Sequence, residues 1–418
     1  MTERSMTDSD LHRSVEAVWR LESTKLVAAL VRITRDVGLA EDLAQDALEA
    51  ALSQWPESGI PDNPAAWLMA VAKRRAIDGF RRRERQDRAY GAIAEGQEDV
   101  VAGIETAVDH VEDDVLRLMF ICCHPALGDD ARRTLTLRLV AGLTTSEIAR
   151  SFLTSEATIG ARITRAKKTL ADVDAPTEEP ADNERAERLE AVLAVIYLLF
   201  NEGYSATAGD DWMRPSLSEE AVRLGRLLIG LVPDDPEVLG LLALMEIQLS
   251  RTAARTGPDG SPVLLLDQNR AHWDQLLIRR GLAALERATA IGGTPGPYVL
   301  QAEIAACHAR ARTAEDTDWT RIASLYESLA VITGSAVVEL NRAVAVSMAH
   351  GPAVALALID QLAELPELRS YHLLPSVRGD LLSKLGRIDE ARLEFERAAS
   401  LTQNEQERAL LLARAADC

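Results

Sequence analysis

Aromatic residues make up only 4% of this 418-residue chain. That is too few for a β-sandwich or barrel built on aromatic and β-branched side chains, and the β-branched runs are short. Abundant Ala and Leu fill the gap, so the expected fold class is all-α. Cysteine is scarce as well: there are four, two of them adjacent at Cys122 and Cys123. They make no disulfide framework, as expected of a chain in a reducing cytoplasm. No apolar run is long enough to span a bilayer, the longest lying near residues 191–200, and the opening MTERSMTDSDLHRS lacks the apolar core of a signal peptide. The expectation is a soluble cytoplasmic protein with no membrane partner. The phosphate loop GxxxxGK, the zinc motif HExxH and the nucleophile motif GxSxG are all missing, so neither an enzyme nor a bound cofactor is expected.

Positive charge is in deficit overall, with 46 basic against 65 acidic residues for a net −19, which argues against indiscriminate binding of polyanions. The distribution is uneven. Residues 1–172 hold 23 basic and 28 acidic side chains, and the remainder holds 23 and 37. Nucleic-acid binding is therefore expected only in local basic patches of the first part, while the second part should be repelled by DNA.

One such patch ends the stretch LTTSEIARSFLTSEATIGARITRAKK at 143–168. It reads as two short helices around a tight turn. The first runs from about Ser146 to Ser151, with Thr144 or Thr145 as cap and Glu147 in its electropositive first turn. Leu153 to Ser155 form the turn and Glu156 to Leu170 the second helix. Ile159, Ile163, Ala166 and Leu170 recur at steps of three and four, so they face inward, while Thr158, Arg162, Arg165 and Lys168 face out. Between Ser155 and Leu170 four bases stand against Glu156 alone, which suits a DNA major groove. The second patch, residues 73–88, carries Lys73, Arg74, Arg75, Arg81, Arg82, Arg83, Arg85 and Arg88 against three acids. Before it, NPAAWLMAVA starts a helix with Asn63 as cap, Pro64 in first position, and Trp67, Leu68 and Val71 on the buried side.

Composition breaks divide the chain at 11–85, a polar acidic linker at 86–111, a helix-turn-helix part at 112–171, a Pro-containing flexible linker at 172–184, and a helical extension from 185 to 418. In the extension small and apolar positions recur: Gly281, Leu285 and Ala288; Ile322, Tyr326 and Leu329; Gly351, Ala355, Ile359 and Leu362; Gly386, Ala391, Phe395 and Ala398. The steps of 33 to 41 residues resemble tetratricopeptide repeats, clearest over 337–402, although Gln403 stands where that pattern usually has Pro. Stacked helix pairs of this kind offer a groove for peptide or protein. Two segments do not fit the repeat, FNEGYSATAGDDWMRP at 200–215 and GPDGSPVLLLDQNRAHWD at 257–274. Their composition is that of ordered loops, and either a ligand or partner site or simple inter-helix packing would account for them.

Cys122, Cys123 and His124 invite a metal reading, but adjacent cysteines on a helix point apart, a fourth ligand is missing and Pro125 ends the helix. A packed core pair is expected and no metal.

AEDLAQDALEAAL at 40–52, then NPAAWLMAVAKRRAIDGFRRR at 63–83, then the helix-turn-helix ending RITRAKK, in that order, resemble the extracytoplasmic-function (ECF) group of RNA polymerase sigma factors. The extension narrows the resemblance to a subgroup with a long C-terminal helical tail. It implies sigma region 2 at 11–85 and region 4 at 112–171, with core RNA polymerase and promoter DNA as partners. Glu41, Asp42, Gln45 and Asp46 would dock on the clamp helices of the largest catalytic subunit, and a further contact would be made to the flap of the second large subunit. Asn63, Lys73, Arg74, Arg75, Arg81 and Arg82 would act at the minus-ten element. The loop from Trp55 to Asn63 would capture an extruded base there, a step costing a few kcal/mol that pocket walls and phosphate clamps must offset. Arg74 replaces the family's usual Asn. Ser155, Glu156, Thr158, Arg162, Arg165 and Lys168 would read or clamp the minus-thirty-five duplex. A contact between the acidic extension and the sigma regions is also expected. The alternatives are a one-component helix-turn-helix regulator with a repeat-type sensor, and a scaffold of helical repeats that binds no DNA.

Overall fold

The computed structural model describes residues 8–89, 111–152, 154–173, 182–204, 213–257, 263–402 and 404–418. Most of the two expected linkers lies outside the described residues. Among those described there are eighteen α-helices and no β-strand, as the scarcity of aromatic residues and the shortness of β-branched runs predict. The contacts divide the chain into two compact units, 1–195 and 196–418.

In the first unit, α1 (Asp8–Thr34) packs on both α2 (Val37–Ser58) and α3 (Pro64–Ala89). Asp36 caps α2 by accepting the Leu39 N–H at 2.9 Å, and Asn63 caps α3 by accepting the Ala66 N–H at 3.0 Å. Alanines at 40, 44, 47 and 51 give α2 a smooth, fully buried stripe against its neighbours. The same α1 also meets α4 (Val111–Cys122) and α5 (Asp129–Leu139). Helices α6 (Thr145–Ser151) and α7 (Glu156–Asp172) then close the helix-turn-helix. Cys122 and Cys123 are buried in this core, where desolvation raises both thiols, Cys123 to about 12. They pack there as small apolar side chains.

The expected base-capturing loop needs one correction. Trp55 and the three residues after it belong to the last turn of α2, which reaches Ser58 despite Pro56. Trp55 is 1% exposed and meets the Trp67 ring edge-on at 5.3 Å, so burying the indole holds that turn helical. The loop shortens to residues 59–63.

The second unit takes the end of α8 (Asp182–Tyr204), then α9 (Pro215–Leu231), α10 (Pro236–Leu249), α11 (Gln275–Ile291), α12 (Pro297–Arg310), α13 (Trp319–Thr333), α14 (Ala336–His350), α15 (Pro352–Leu362), α16 (Leu373–Lys384), α17 (Ile388–Leu401) and α18 (Glu405–Ala416). Most helices pack on their sequence neighbours. Most of the repeated positions lie where helices meet: Leu285, Ala288, Ile322, Leu329, Ala355, Ile359, Ala391, Phe395 and Ala398 are all 0–2% exposed, whereas Tyr326, Gly351 and Leu362 are half-buried and Gly386 is exposed. Gly379 lets α16 close on α17, since a Cβ there would lie 2.9 Å from the Phe395 ring. A carboxylate joins two helices in the same way: Glu237 of α10 accepts the Tyr298 and Val299 N–H groups at 2.7 and 3.2 Å, capping α12 from outside.

Candidate nucleic-acid interface

The helix-turn-helix forms for local reasons. Thr144 and Glu147 make a reciprocal capping box on α6: the Thr144 Oγ1 accepts the Glu147 N–H at 3.1 Å, and a Glu147 carboxylate oxygen accepts the Thr144 N–H at 2.8 Å. Ser155 caps α7 by accepting the Thr158 N–H at 3.1 Å. Ser155→Ala is expected to cost about 1 kcal/mol of recognition-helix stability, read as faster amide exchange in the first turn of α7; unchanged exchange would show the cap to be idle.

Ile159, Ile163, Ala166 and Leu170 are buried, at 0–8% exposure. Ser155, Glu156, Thr158, Arg165 and Lys168 stand exposed on the other side, together with Ala157, Ala161 and Thr164. Among the described residues Arg165 bonds only the Ala161 carbonyl of its own helix, at 3.2 Å, which leaves the rest of its guanidinium available. Arg162 differs from the outward expectation. It lies half-buried against α5, 3.1 Å from the Asp130 carboxylate and 3.4 Å from Thr134 Oγ1, because an acidic helix start lies within reach.

In region 2, Arg74 and Arg75 are exposed on α3 and Lys73 is half-buried. Arg75 pairs with Asp46 of α2 at 2.7 Å, an exposed bridge of the kind that contributes little to stability. Arg81 and Arg82 lie in α3, but their side chains are outside the described residues. Asp42 is exposed and Gln45 half-buried.

Glu41 is different. It is 6% exposed, because its place in the helical repeat puts it on the buried side with Ala44 rather than on the open side with Asp42. Its carboxylate is shared by Arg138 of α5 and Lys167 of α7, each at 2.5 Å. Burial alone would raise the Glu41 pKa, but Arg138 and Lys167 outweigh it and hold the carboxyl below its usual value. Other bonds run along the same seam. Thr24 Oγ1 donates to the Val140 carbonyl at 2.7 Å, and Arg32 reaches the buried Asp114 at 3.0 Å. Gly142, at φ +71°, brings the chain so close to α1 that a Cβ would sit 2.8 Å from Ser23 Oγ, so only glycine suits both its turn and its neighbour. Helix α2 and the helix-turn-helix are thus sealed together through one carboxylate. Arg138 and Lys167 escaped the sequence reading, since nothing local distinguishes a base that faces DNA from one that faces another part of the chain.

Comparison with known proteins bears on this arrangement. Residues 19–86 match Sigma-70 region 2 and residues 117–170 match Sigma-70, region 4; residues 188–289 match a family of unknown function (DUF6596). An uncharacterised protein of Rhizobium meliloti (strain 1021) is 44% identical over 390 residues, covering 92% of this chain and 91% of its own length. The ECF RNA polymerase sigma factor SigK of Mycobacterium sp. (strain KMS) is 29% identical over 158 residues, 35% of this chain and 76% of that protein. The probable ECF RNA polymerase sigma factor SigI of Mycobacterium tuberculosis (strain ATCC 25618 / H37Rv) is 30% identical over 178 residues, 41% of this chain and 60% of that protein. With both sigma regions matched in order and a helical extension behind them, the chain belongs to the extracytoplasmic-function RNA polymerase sigma factors.

Proposed function

We propose that this sigma factor docks through α2 on the clamp helices of the polymerase largest subunit and through region 4 on the flap of the second large subunit. It then opens the minus-ten element with α3 and reads the minus-thirty-five duplex with α7, under regulation in cis by its extension. The observation that supports the reading best is the open face of α7, where Thr158, Arg165 and Lys168 stand exposed behind a buried apolar stripe. Asn63, Lys73, Arg74, Arg75, Arg81 and Arg82 serve the downstream element, and Asp42, Gln45 and Asp46 offer the accessible part of the docking face. Docking through Glu41 as well requires the seal to part. Acidic residues outnumber basic ones in the extension, and tethering holds it at high effective concentration near the basic patches.

Run-off transcription with purified core polymerase tests the reading. Promoter-dependent initiation is expected. Arg165→Ala with Lys168→Ala should lower it about tenfold or more and flatten the salt dependence by close to one in slope for each lost phosphate contact. Binding to a duplex operator without any initiation would favour the one-component regulator. For the cis regulation, a chain ending at residue 172 should transcribe at a level different from the full chain; identical output would remove that part of the proposal.

A further inference from the structure

The two loop segments that stand apart from the repeat carry groups that neither DNA nor polymerase binding uses. In the second unit Tyr204 of the first segment and Arg270 and Trp273 of the second gather with Arg251 and Arg255, which follow α10. Arg255, 6% exposed, donates to the Tyr204 carbonyl at the end of α8 and lays its guanidinium 3.6 Å from the centre of the Tyr204 ring. Arg270 donates to the carbonyls of His308 and Ala311 at the end of α12, at 2.6 and 2.8 Å, and to Thr317 Oγ1 at 3.1 Å. Both cations therefore sit on helix C-termini, where the carbonyls carry partial negative charge.

Arg251 lies between them without such a seat. One of its guanidinium nitrogens donates to the Tyr204 hydroxyl, and the group lies 5.9 Å from the Tyr204 ring and 5.6 Å from the Trp273 ring. Its Nε is buried with no hydrogen-bond partner among the described residues. Among the described residues neither Arg251 nor Arg270 makes an ion pair with a carboxylate, and Glu315 and Asp316 act on Arg270 only from a distance, against its burial and the nearby Arg251. Two more buried groups beside them have no hydrogen-bond partner among the described residues: the Nε1 of Trp273, a residue 3% exposed, and the Nδ1 of His308, 7% exposed. Burial, with Arg251 and Arg270 close by, pushes the His308 pKa down to about 4, so the imidazole is neutral at physiological pH and can donate from Nδ1.

Crowded like charges and unpaired buried donors each destabilise a fold. What compensates both at once is an acceptor bearing negative charge. We propose that Arg251, Trp273 and His308 form a binding site for an oxyanion, the carboxylate or phosphate group of a small ligand. The planar guanidinium matches either group with two parallel N–H donors, and the Tyr204 and Trp273 rings flank the position. The site belongs to the extension alone and does not depend on how the sigma regions work.

The test uses the full chain, with thermal unfolding and titration calorimetry in inorganic phosphate, a parallel arm in citrate, and ionic strength held constant with chloride. A saturable rise in Tm of about 5 °C is expected at a hundredfold excess over Kd. A larger response to phosphate assigns a phosphorylated ligand, and a larger response to citrate a carboxylic acid. Arg251→Gln should abolish the response while leaving the anion-free Tm unchanged or higher, because a crowded charge has gone. Trp273→Phe, which keeps a ring but loses the donor, should weaken binding roughly tenfold. No saturable rise with either anion would overturn the proposal. So would a rise that survives in Arg251→Gln, or an Arg251→Gln chain that melts earlier and whose parent shows no anion response.

Discussion

Replacing Glu41 by alanine is expected to destabilise the first unit by about 3 kcal/mol, the scale seen when one partner of a buried ion pair is removed. The loss has two parts. Arg138 and Lys167 keep their charges but lose the carboxylate that both contact at 2.5 Å, and a near-empty site is left beside Ala40 and Ala44, which are fully buried. Hydrogen exchange on the full chain measures it. Amides of α5 and α7 should exchange about a hundredfold faster in Glu41→Ala, while those of α16 and α17 in the other unit should not change. Lys167→Ala should do less, since Arg138 still holds the carboxylate. Acid should mimic the mutation. The folded pKa of Glu41 lies below its usual 4.5, so its stabilisation is complete above that pH and fades as pH falls through the lower folded value. Exchange in α7 that ignores both the mutation and acid would rule out the seal as a source of stability.

Acidification should also weaken the second unit, at a higher pH and for a different reason. His308 is buried beside Arg251 and Arg270, and its pKa falls from 6.5 to about 4. In the unfolded chain it takes up a proton near 6.5, so between that value and about 4 the unfolded state holds the extra proton and stability falls with pH. The whole interval corresponds to about 3 kcal/mol, at roughly 1.4 kcal/mol for each tenfold step. Denaturant titrations of the full chain from pH 7 to pH 4, followed by exchange at α12, should show the loss; His308→Gln should flatten it. A wild-type profile already flat between pH 6.5 and 4 would mean that the imidazole charges in place.

The recognition helix was legible in the sequence because everything that makes it is local. Its apolar steps from Ile159 to Leu170 and its exposed Arg165 lie within one segment, and the observed Glu156–Asp172 helix differs from the expected one only at its end, while Ser155, expected in the turn, also caps it. The repeat positions of the extension were legible for a similar reason, since Ala391, Phe395 and Ala398 mark one helix face by spacing alone. What the sequence hid is long-range. Glu41 meets Arg138 across 97 residues, and a carboxylate on a docking motif looks the same whether it awaits a partner or already has one. Trp55 hid differently: Pro and Gly around it signal a loop, but the burial of an indole ring against Trp67 overrides that local signal. The composition of 257–274 marks it as a loop segment, yet the gathering of Arg251, Arg270 and His308 depends on three separate elements folding onto one place.

The shared carboxylate also sets how many molecules are ready at a given moment. If polymerase engages only chains in which regions 2 and 4 have come apart, its apparent affinity is scaled down by the open fraction. A closed form favoured by about 3 kcal/mol leaves on the order of one chain in a hundred open. In competition with other sigma factors for a limited supply of core enzyme, such a chain is silent at low abundance. On that condition it would gain promoters only when its own concentration rises or when something shifts that equilibrium, and Glu41 would set a threshold as well as make a contact in the fold.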